Sequence, residues 1–279
     1  MRTFADRTAA VTGAASGIGR ALAGRLAREG CHLALADVDA DGLAATTAGL
    51  TGTGVRVTST VLDVADEQAV HGWAATVVAE HGGVNLLVNN AGVALSGTVA
   101  SLSTADYRWV MDVNFWGVLY GTTAFLPHLE ASGEGHVVNV SSVFGLFAQP
   151  LMSGYNASKY AVRGFTESLR QDLELTGSPV SATCVHPGGI RTAIARSARV
   201  DPSAGAALGQ DAGAAAAGFE KLLRTSPDRA ARTILDGVRH DRRRVLIGPD
   251  ARVLDALVRV LPTGYQRIVT RAVRSRRTR

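Results

Sequence analysis

The sequence has few cysteines, few aromatic residues and no long apolar run. Of its 279 residues only two are cysteines, and 5% are aromatic. Cys31 and Cys184 each lie in an apolar, strand-like run, so we interpret both as small core residues and expect no disulfide framework. No apolar run reaches the roughly 18–20 residues that a membrane-spanning helix needs, and the N-terminal residues predict no signal peptide. We therefore expect a cytoplasmic protein.

The positive charge is concentrated at the C-terminus. The formal net charge is +5, but five arginines and no acidic residue lie among the last nine positions, so the first 270 residues are neutral overall. A nucleic-acid-binding protein needs a basic face with groove-reading side chains, and none is evident, so we expect no nucleic-acid partner. We interpret the basic end as the solvated tail of a helix packed on the subunit or its partner. The alternative is an amphipathic segment that contacts anionic lipid.

Short apolar runs alternate with longer segments of helical periodicity. The predicted strands are Thr8–Thr12, His32–Ala36, Val55–Val61, Leu86–Val88, His136–Val140, Val180–Val185 and Val245–Ile247. The predicted helices include Ile18–Glu29, Glu67–Glu80, Thr104–Leu129, Tyr155–Leu175 and Pro227–Arg239. Apolar strands separated by helices predict an α/β, doubly wound (Rossmann) parallel sheet of about seven strands with helices on both faces. Such sheets bind ligands at the carboxyl ends of their strands.

The chain is predicted to form one catalytic domain, residues 1–248, followed by a C-terminal helical extension with a basic tail, residues 249–279. The least regular stretch is Thr192–Gly218, which is rich in alanine and glycine, and the candidate lid that contains it spans residues 192–226. Two interpretations stay open for this stretch: a loosely packed surface loop with a helix, or a mobile lid over the ligand, because long excursions at a ligand edge are often functional.

A glycine-rich turn joins the first strand to the first helix. It carries Gly13, Ser16, Gly17, Ile18 and Gly19. Glycines in such a turn let backbone N–H groups approach a pyrophosphate at the positive end of a helix. Taken alone, the turn is also compatible with an ordinary strand–helix connection.

An acidic residue ends the second strand. Asp37 lies 18 residues after the glycine turn, where a carboxylate can bind the adenosine ribose diol and repel a 2′-phosphate. The neighbouring Ser16 and Val38 carry no cation that would hold such a phosphate, so NAD is favoured over NADP. Asp63 and Val64 follow the third strand, where they either cap a helix or contact the adenine.

Polar residues also follow the later strands. Asn90, Ala91 and Gly92 form a turn after the fourth strand, and Tyr155 and Lys159 are four residues apart on a predicted helix, which places them on one face. A nearby cation favours the phenolate form of tyrosine. Only two of the 29 basic residues are lysines, and one of them is Lys159. Its compact ammonium group can join a proton relay, whereas arginine relays protons poorly.

Together these motifs resemble the short-chain dehydrogenase/reductase family over about Thr8 to Thr192. The matching motifs are T-G-x-x-x-G-x-G at Thr12–Gly19, N-N-A-G at Asn89–Gly92, Asn114 in V-M-D-V-N-F, Ser142 in V-N-V-S-S, Y-x-A-S-K from Tyr155 to Lys159, and Pro187-Gly188 with Thr192. Each motif is modest alone, but the ordered set is specific.

The resemblance implies a mechanism. Tyr155 is expected to be the general acid/base, Ser142 to bind the reacting oxygen, and Lys159 to bind the nicotinamide ribose and lower the pKa of the tyrosine. Asn114 is expected to hold a water that links the lysine to solvent. The remaining expected cofactor contacts are Asn90, Ala91, Gly92, Pro187, Gly188, Ile190 and Thr192. The resemblance also implies no metal, and a homodimer or homotetramer packed through Thr104–Leu129 and Tyr155–Leu175.

The residues expected near the substrate are largely apolar. They are Val93, Leu95, Ser142, Phe144, Leu146, Phe147, Met152, Tyr155, Ile190 and Ile194. Arg191 is the nearest candidate for binding a carboxylate. We expect an NAD-linked oxidoreductase of apolar secondary alcohols or ketones. The alternatives are a nucleotide-sensing regulatory or scaffold protein that has lost catalysis, and an epimerase or dehydratase that uses the same tyrosine and lysine.

Overall fold

The computed structural model describes residues 1–192, 194, 198–208 and 224–277. The described strands are β1 (Thr8–Thr12), β2 (His32–Asp37), β3 (Val57–Val61), β4 (Leu86–Asn89), β5 (Leu95–Ser96), β6 (Gly135–Val140), β7 (Val180–Pro187), β8 (Arg199–Val200) and β9 (Arg244–Ile247). Seven of them form a parallel main sheet in the order β3-β2-β1-β4-β6-β7-β9. A separate parallel pair, β5 and β8, lies outside it. The predicted doubly wound α/β fold is confirmed.

Helices cover both faces of the sheet because the strands are apolar on both sides. The described helices are α1 (Gly17–Arg28), α2 (Ala40–Ala48), α3 (Glu67–His81), α4 (Thr104–Met111), α5 (Gly117–Ala131), α6 (Ser153–Leu175), α7 (Pro202–Leu208), α8 (Pro227–Arg239), α9 (Pro249–Val260) and α10 (Gly264–Arg277). On one face Leu22 and Ile234 join a core under α1 and α8. On the other, Trp73 and Phe125 pack edge to face, 5.0 Å between ring centroids.

Besides the short strands β5 and β8, which were not predicted, two local features differ from the sequence prediction. The predicted helix Thr104–Leu129 is interrupted by a π-helical turn, Asp112–Trp116, between α4 and α5. Helix α2 was not predicted, since it is short and only two of its residues are buried. Its start is explained by Asp39, whose side chain accepts a hydrogen bond from the N–H of Gly42.

Part of the predicted lid is anchored to the body of the protein. Strand β8 pairs with β5, and the hydroxyls of Ser101 and Ser203 lie 2.6 Å apart. Residues 193, 195–197 and 209–223 of that stretch lie outside the described residues. Whether it closes over a ligand stays a prediction.

Two contacts illustrate how the C-terminal helices pack on the domain. Asp255 on α9 pairs with Arg244, with 2.9 Å between oxygen and nitrogen. Tyr265 on α10 is buried, and its hydroxyl accepts the N–H of Ala148 at 3.2 Å. These contacts favour the packed interpretation of the extension, and lipid contact stays a prediction. Within the described part of the chain, none of the helices combines the length and apolar character needed to cross a bilayer.

Candidate active site

The four residues expected to carry the chemistry come from three neighbouring elements. Tyr155 and Lys159 lie in the first two turns of α6, Ser142 follows β6, and Asn114 lies in the π-helical turn. All four are buried. An extra residue in a helical turn changes the direction of the side chains that follow, and such turns are frequent at functional sites.

Lys159 lies deep in the protein, with only 3% of its surface exposed. Its Nζ donates a hydrogen bond to the carbonyl of Val140 at 3.0 Å and lies 5.8 Å from the ring centroid of Tyr155. Burial disfavours the charged amine and lowers the pKa of Lys159 to about 8. The lysine is therefore still mostly protonated at neutral pH, and its charge lies beside the phenol.

Tyr155 experiences two opposing influences. Burial raises the pKa of its hydroxyl, and a hydrogen bond with the Ser142 side chain lowers it. The Ser142 hydroxyl also accepts the N–H of Phe144 at 3.1 Å, while the carbonyl of Ser142 lies 3.0 Å from Nδ1 of His186. These contacts hold the serine beside the tyrosine hydroxyl.

The side chain of Asn114 is held by hydrogen bonds with the backbone of Val93 and the side chain of Ser158. Its Oδ1 accepts the N–H of Val93 at 2.8 Å, and its Nδ2 donates to the Val93 carbonyl and to Ser158, both at 3.0 Å. A Cβ atom on Gly92 would lie 3.1 Å from Asn114 Oδ1 and 3.3 Å from Lys159 Nζ. Glycine at position 92 therefore leaves room for both polar side chains.

The glycine turn is shaped to admit a phosphate group. Gly13 and Gly17 have positive φ angles of 66° and 54°, and a Cβ atom on Gly19 would lie 2.1 Å from the Gly13 carbonyl oxygen. Ser16, at the N-terminal cap of α1, makes no side-chain capping hydrogen bond. The first amides of the helix, including those near Ile18, are therefore available to an anion. The residues present fit a dinucleotide.

Asn90 and Thr12 join the glycine turn to the end of β4. The side chain of Asn90 donates to the carbonyls of Thr12 and Gly13 at 2.9 and 3.1 Å. The Thr12 hydroxyl accepts the N–H groups of Asn90 and Ala91 at 3.0 and 3.1 Å. The amide of Asn90 is thus engaged in holding the turn, a supporting role that the motif alone did not distinguish from cofactor contact.

An acidic and a basic side chain lie near the end of β2, and only the acidic one was expected from the sequence. Asp37 accepts the N–H groups of Ala15 at 2.8 Å and Asp39 at 3.0 Å. Arg20 donates to the carbonyl of Ala15 and to the Thr46 hydroxyl, the latter at 2.9 Å. The sequence analysis considered only the positions adjacent in sequence and missed Arg20, which reaches this corner from the first turn of α1.

Asp63 and Val64 lie after β3, exposed and buried respectively. Asp63 accepts the N–H of Ala65 at 2.9 Å, but the residue that caps α3 is Asp66. The capping interpretation of Asp63 is therefore wrong. An adenine contact stays a prediction.

The segment after β7 faces the glycine turn. It begins at Gly188, directly after Pro187, the last residue of β7, and a Cβ atom on Gly17 would lie 3.0 Å from Cγ2 of Thr192. A groove of about 420 Å³ opens here, lined by Ser16, Gly17, Arg20, Ala21, Arg191, Thr192, Ser226, Pro227 and Asp228. Arg191 therefore lies on the side of the glycine turn, contrary to its suggested role at the substrate.

An apolar cluster surrounds the tyrosine. It contains Ala94, Leu95, Leu102, Val110 and Tyr155, with Val93, Tyr107, Trp109, Phe144, Met152, Ile194 and Ala198 packed against it. Phe147 stacks on Phe144 at 5.8 Å between centroids, and Leu146 is buried next to it in sequence. Ile190 was expected near the substrate but belongs to the core under α1. Trp109 was not identified from the sequence, because this residue lies on α4 and only the folding of the chain brings it next to the cluster.

No potential metal site of three or more histidine, cysteine or acidic side chains occurs among the residues that the structure describes. The Tyr155 side chain has the Ser142 hydroxyl and the Lys159 ammonium near it. This donor set is suited to proton transfer and hydrogen bonding.

Comparison with known proteins identifies the family. The short chain dehydrogenase model matches residues 7–203. The Mycobacterium tuberculosis protein SadH, named provisionally as an oxidoreductase, is 48% identical over 98% of this chain and 97% of its own length.

Solved structures show the same relationship. A short chain dehydrogenase/reductase from Burkholderia phymatum in complex with NAD is 31% identical, with a TM-score of 0.84 over 97% of both chains. A short chain dehydrogenase from Mycobacterium paratuberculosis bound to NAD is 25% identical, with a TM-score of 0.75 over 88% of this chain and 97% of its own. The chain is therefore an oxidoreductase of the short-chain dehydrogenase/reductase family.

Proposed function

We propose that this protein transfers a hydride between NAD and an apolar secondary alcohol or ketone, with Tyr155 as the general acid/base. The observation that carries the proposal is the burial of Tyr155 together with its hydrogen bond to Ser142 and the position of the Lys159 Nζ, 5.8 Å from the centroid of its ring. A buried phenol flanked by a hydrogen-bonding hydroxyl and a cation is suited to exchange a proton with a substrate oxygen.

The protein's own groups divide the work. When bound, the nicotinamide supplies the hydride acceptor or donor. In the oxidation direction the Tyr155 phenolate takes the proton from the alcohol, in the reduction direction the Tyr155 hydroxyl gives its proton to the carbonyl oxygen, and Ser142 hydrogen-bonds the same substrate oxygen. The Lys159 charge favours the phenolate. Asn114 Oδ1 lies with Lys159 Nζ against Gly92, an arrangement that supports the proposed water link from the lysine to solvent.

The proposed cofactor is NAD. The Asp37 carboxylate ends β2 beside the glycine turn, where its charge would repel a 2′-phosphate. Two of the solved relatives contain NAD. The cation of Arg20 is the feature that argues for NADP. Its guanidinium, however, already donates hydrogen bonds to two backbone carbonyls and one hydroxyl near the end of β2.

The proposed substrate is apolar because the cluster around Tyr155 is built of aliphatic and aromatic side chains. Two arginines that could bind an acidic substrate, Arg191 and Arg199, are placed elsewhere or already engaged. Arg191 lies in the groove beside the glycine turn, and Arg199 stacks on Trp109 at 3.6 Å. The regulatory alternative predicts damage to the set of Asn114, Ser142, Tyr155 and Lys159, and all four residues are present. For an epimerase or dehydratase of sugar nucleotides, a site for the diphosphate-sugar would be required, and the apolar cluster does not supply one.

Nicotinamide absorbance, followed across apolar alcohols and ketones with NAD and NADP, tests this function. We expect turnover with NAD and weaker turnover with NADP. Asp37→Asn removes the repelling charge, so the ratio of kcat/KM for NADP to that for NAD should rise at least tenfold. Asp39→Asn, two residues further on, is the control and should leave the ratio unchanged. Preference of the wild type for NADP, or turnover confined to small charged acids, would refute the proposal.

We also propose a homodimer or homotetramer, packed through α4–α5 and α6. Trp116, between α4 and α5, is 40% exposed and stacks on Tyr120 at 6.0 Å. Exposed aromatic groups are typical of interfaces. Light scattering should give two or four times the 29.0 kDa chain mass, and Trp116→Glu should lower it. Val99→Glu adds the same charge at an exposed residue outside these helices and should leave the mass unchanged. A monomeric wild type contradicts the proposal.

A further inference from the structure

The C-terminal extension reaches the turn that follows β7 through one carboxylate. Asp250, the second residue of α9, accepts the N–H of Gly189 at 2.6 Å through Oδ2. Its surroundings are two glycines: a Cβ atom on Gly188 would lie 2.2 Å from Oδ2, and one on Gly248 would lie 2.3 Å from Oδ1. The carboxylate therefore fits only because neither neighbour has a side chain. Asp250 lies outside the residues matched by the family model, which end at 203.

The same turn is held from its other side by the segment before α8. The carbonyl of Gly189 accepts the N–H groups of Arg224 and Thr225, both at 3.1 Å. The N–H of Arg191 donates to the Thr225 carbonyl at 2.9 Å. Backbone hydrogen bonds thus fix one edge of the turn, and the Asp250 carboxylate fixes the other.

This turn forms one wall of the groove opposite the glycine turn. Thr192 contacts Gly17 across the groove, and Arg191 and Thr192 line it. The distance between the two walls decides whether both can contact one dinucleotide. A group that sets the position of Gly189 therefore also sets the position of Thr192, three residues later.

We propose that Asp250 is a positioning residue for the cofactor, which couples the C-terminal helices to the wall of the groove that faces the glycine turn. A hydrogen bond to an ionised carboxylate is stronger than one to a neutral acceptor, and the N-terminal turn of α9 favours the negative charge. The inference rests on the proposed binding of NAD in this groove. It assigns to the extension a role in cofactor affinity in addition to its packing on the sheet.

The test compares Asp250→Asn and Asp250→Ala with the wild type in the full-length protein. The dissociation constant for NAD, measured by calorimetry, should rise about tenfold to a hundredfold for the alanine variant, the range for loss of a hydrogen bond to a charged group. The asparagine variant keeps an acceptor oxygen and should recover part of the affinity. At saturating NAD, kcat should change less than about threefold in both, because no reacting group is altered.

Asp255→Asn is the matched control. It lies on the same helix, and its carboxylate pairs with Arg244 and Arg259 without contacting the turn. This variant loosens α9 but should leave the dissociation constant within about twofold of the wild type. The proposal would be overturned if the dissociation constant for NAD rose equally in Asp255→Asn and Asp250→Asn, or if it did not rise in Asp250→Ala.

Amide hydrogen exchange in the protein without cofactor gives a second measurement. Exchange at Gly189 should be faster in Asp250→Ala than in the wild type and unchanged in Asp255→Asn. If the wild type binds neither NAD nor NADP, the proposed function fails. The exchange result then still decides whether Asp250 holds the turn, and unchanged exchange at Gly189 would refute that contact.

Discussion

Replacing Tyr155 with phenylalanine is expected to lower kcat/KM by about 10²- to 10⁴-fold, the usual contribution of a positioned proton donor. The phenyl ring should keep its edge-to-face contact with Phe144, whose centroid is 6.1 Å away. The protein should therefore still fold, and NAD affinity should change little. The lost step is proton exchange with the substrate oxygen, since Ser142 alone can bind that oxygen but cannot replace the acid. Steady-state kinetics and calorimetric titration with NAD measure the two quantities.

The control for this variant is Tyr120→Phe. It deletes the same hydroxyl from a tyrosine on α5 that stacks on Trp116, and it should keep wild-type kinetics. A Tyr155→Phe enzyme with full activity would show that another group moves the proton. A variant that loses NAD binding to the same extent as turnover would show a structural effect instead.

Replacing Lys159 with methionine is expected to abolish turnover and to stabilise the protein without cofactor. Burial lowers the pKa of Lys159 from its usual 10.5 to about 8, a shift that corresponds to roughly 3 kcal/mol of unfavourable free energy for the charged form in the folded state. Methionine removes this cost at neutral pH. It also removes the cation beside Tyr155, so the phenolate loses its support. Urea unfolding at pH 7 measures the free energy of unfolding.

The stability difference should depend on pH in a defined direction. The pKa of Lys159 is lower in the folded than in the unfolded chain, so the unfolded chain binds more protons between about pH 8 and 10.5. The free energy of unfolding of the wild type therefore rises with pH across this window, relative to Lys159→Met. The free energy of unfolding of Lys159→Met should exceed that of the wild type by the full amount below about pH 8, and this difference should shrink at higher pH.

Arg163→Met is the control for the lysine variant. It removes a cation one turn further along α6, where Arg163 pairs with Glu167 at 2.8 Å on the surface. Such a pair contributes little to stability, so this variant should resemble the wild type in turnover and unfolding. Wild-type turnover in Lys159→Met, or a stability difference independent of pH, would contradict the role assigned to Lys159.

Much of the fold could be predicted because the sequence patterns are local. Apolar runs flanked by glycine, proline and polar residues predicted all seven strands of the main sheet, with ends within two residues of the observed ones. Helix α2 was not predicted because the sequence pattern for it consists of a capping aspartate followed by few apolar residues. The π-helical turn at Asn114 was not predicted from the sequence for a different reason. A helix with one extra residue in a turn has nearly the same periodicity as a regular one.

The candidate site was predictable as a set of residues and less so as an arrangement. The order of the motifs indicated that the glycine turn, Ser142 and Tyr155 lie at the same edge of the sheet, because parallel strands place their carboxyl ends together. Arg20, Trp109 and Asp250 were missed. Each reaches the site or the groove across a helix or from a segment distant in sequence, and no local pattern reports such an approach.

The sequence by itself determined the doubly wound sheet, the family and the chemical types of the residues at the strand ends. These depend on side-chain periodicity, on glycines in turns and on the spacing of motifs, all of which are local properties. Only the tertiary structure decided how deeply Lys159 is buried, where Arg191 faces, and that Asp250 holds the turn at Gly189. Desolvation and distance depend on which segments pack together, and that packing is set by the whole core.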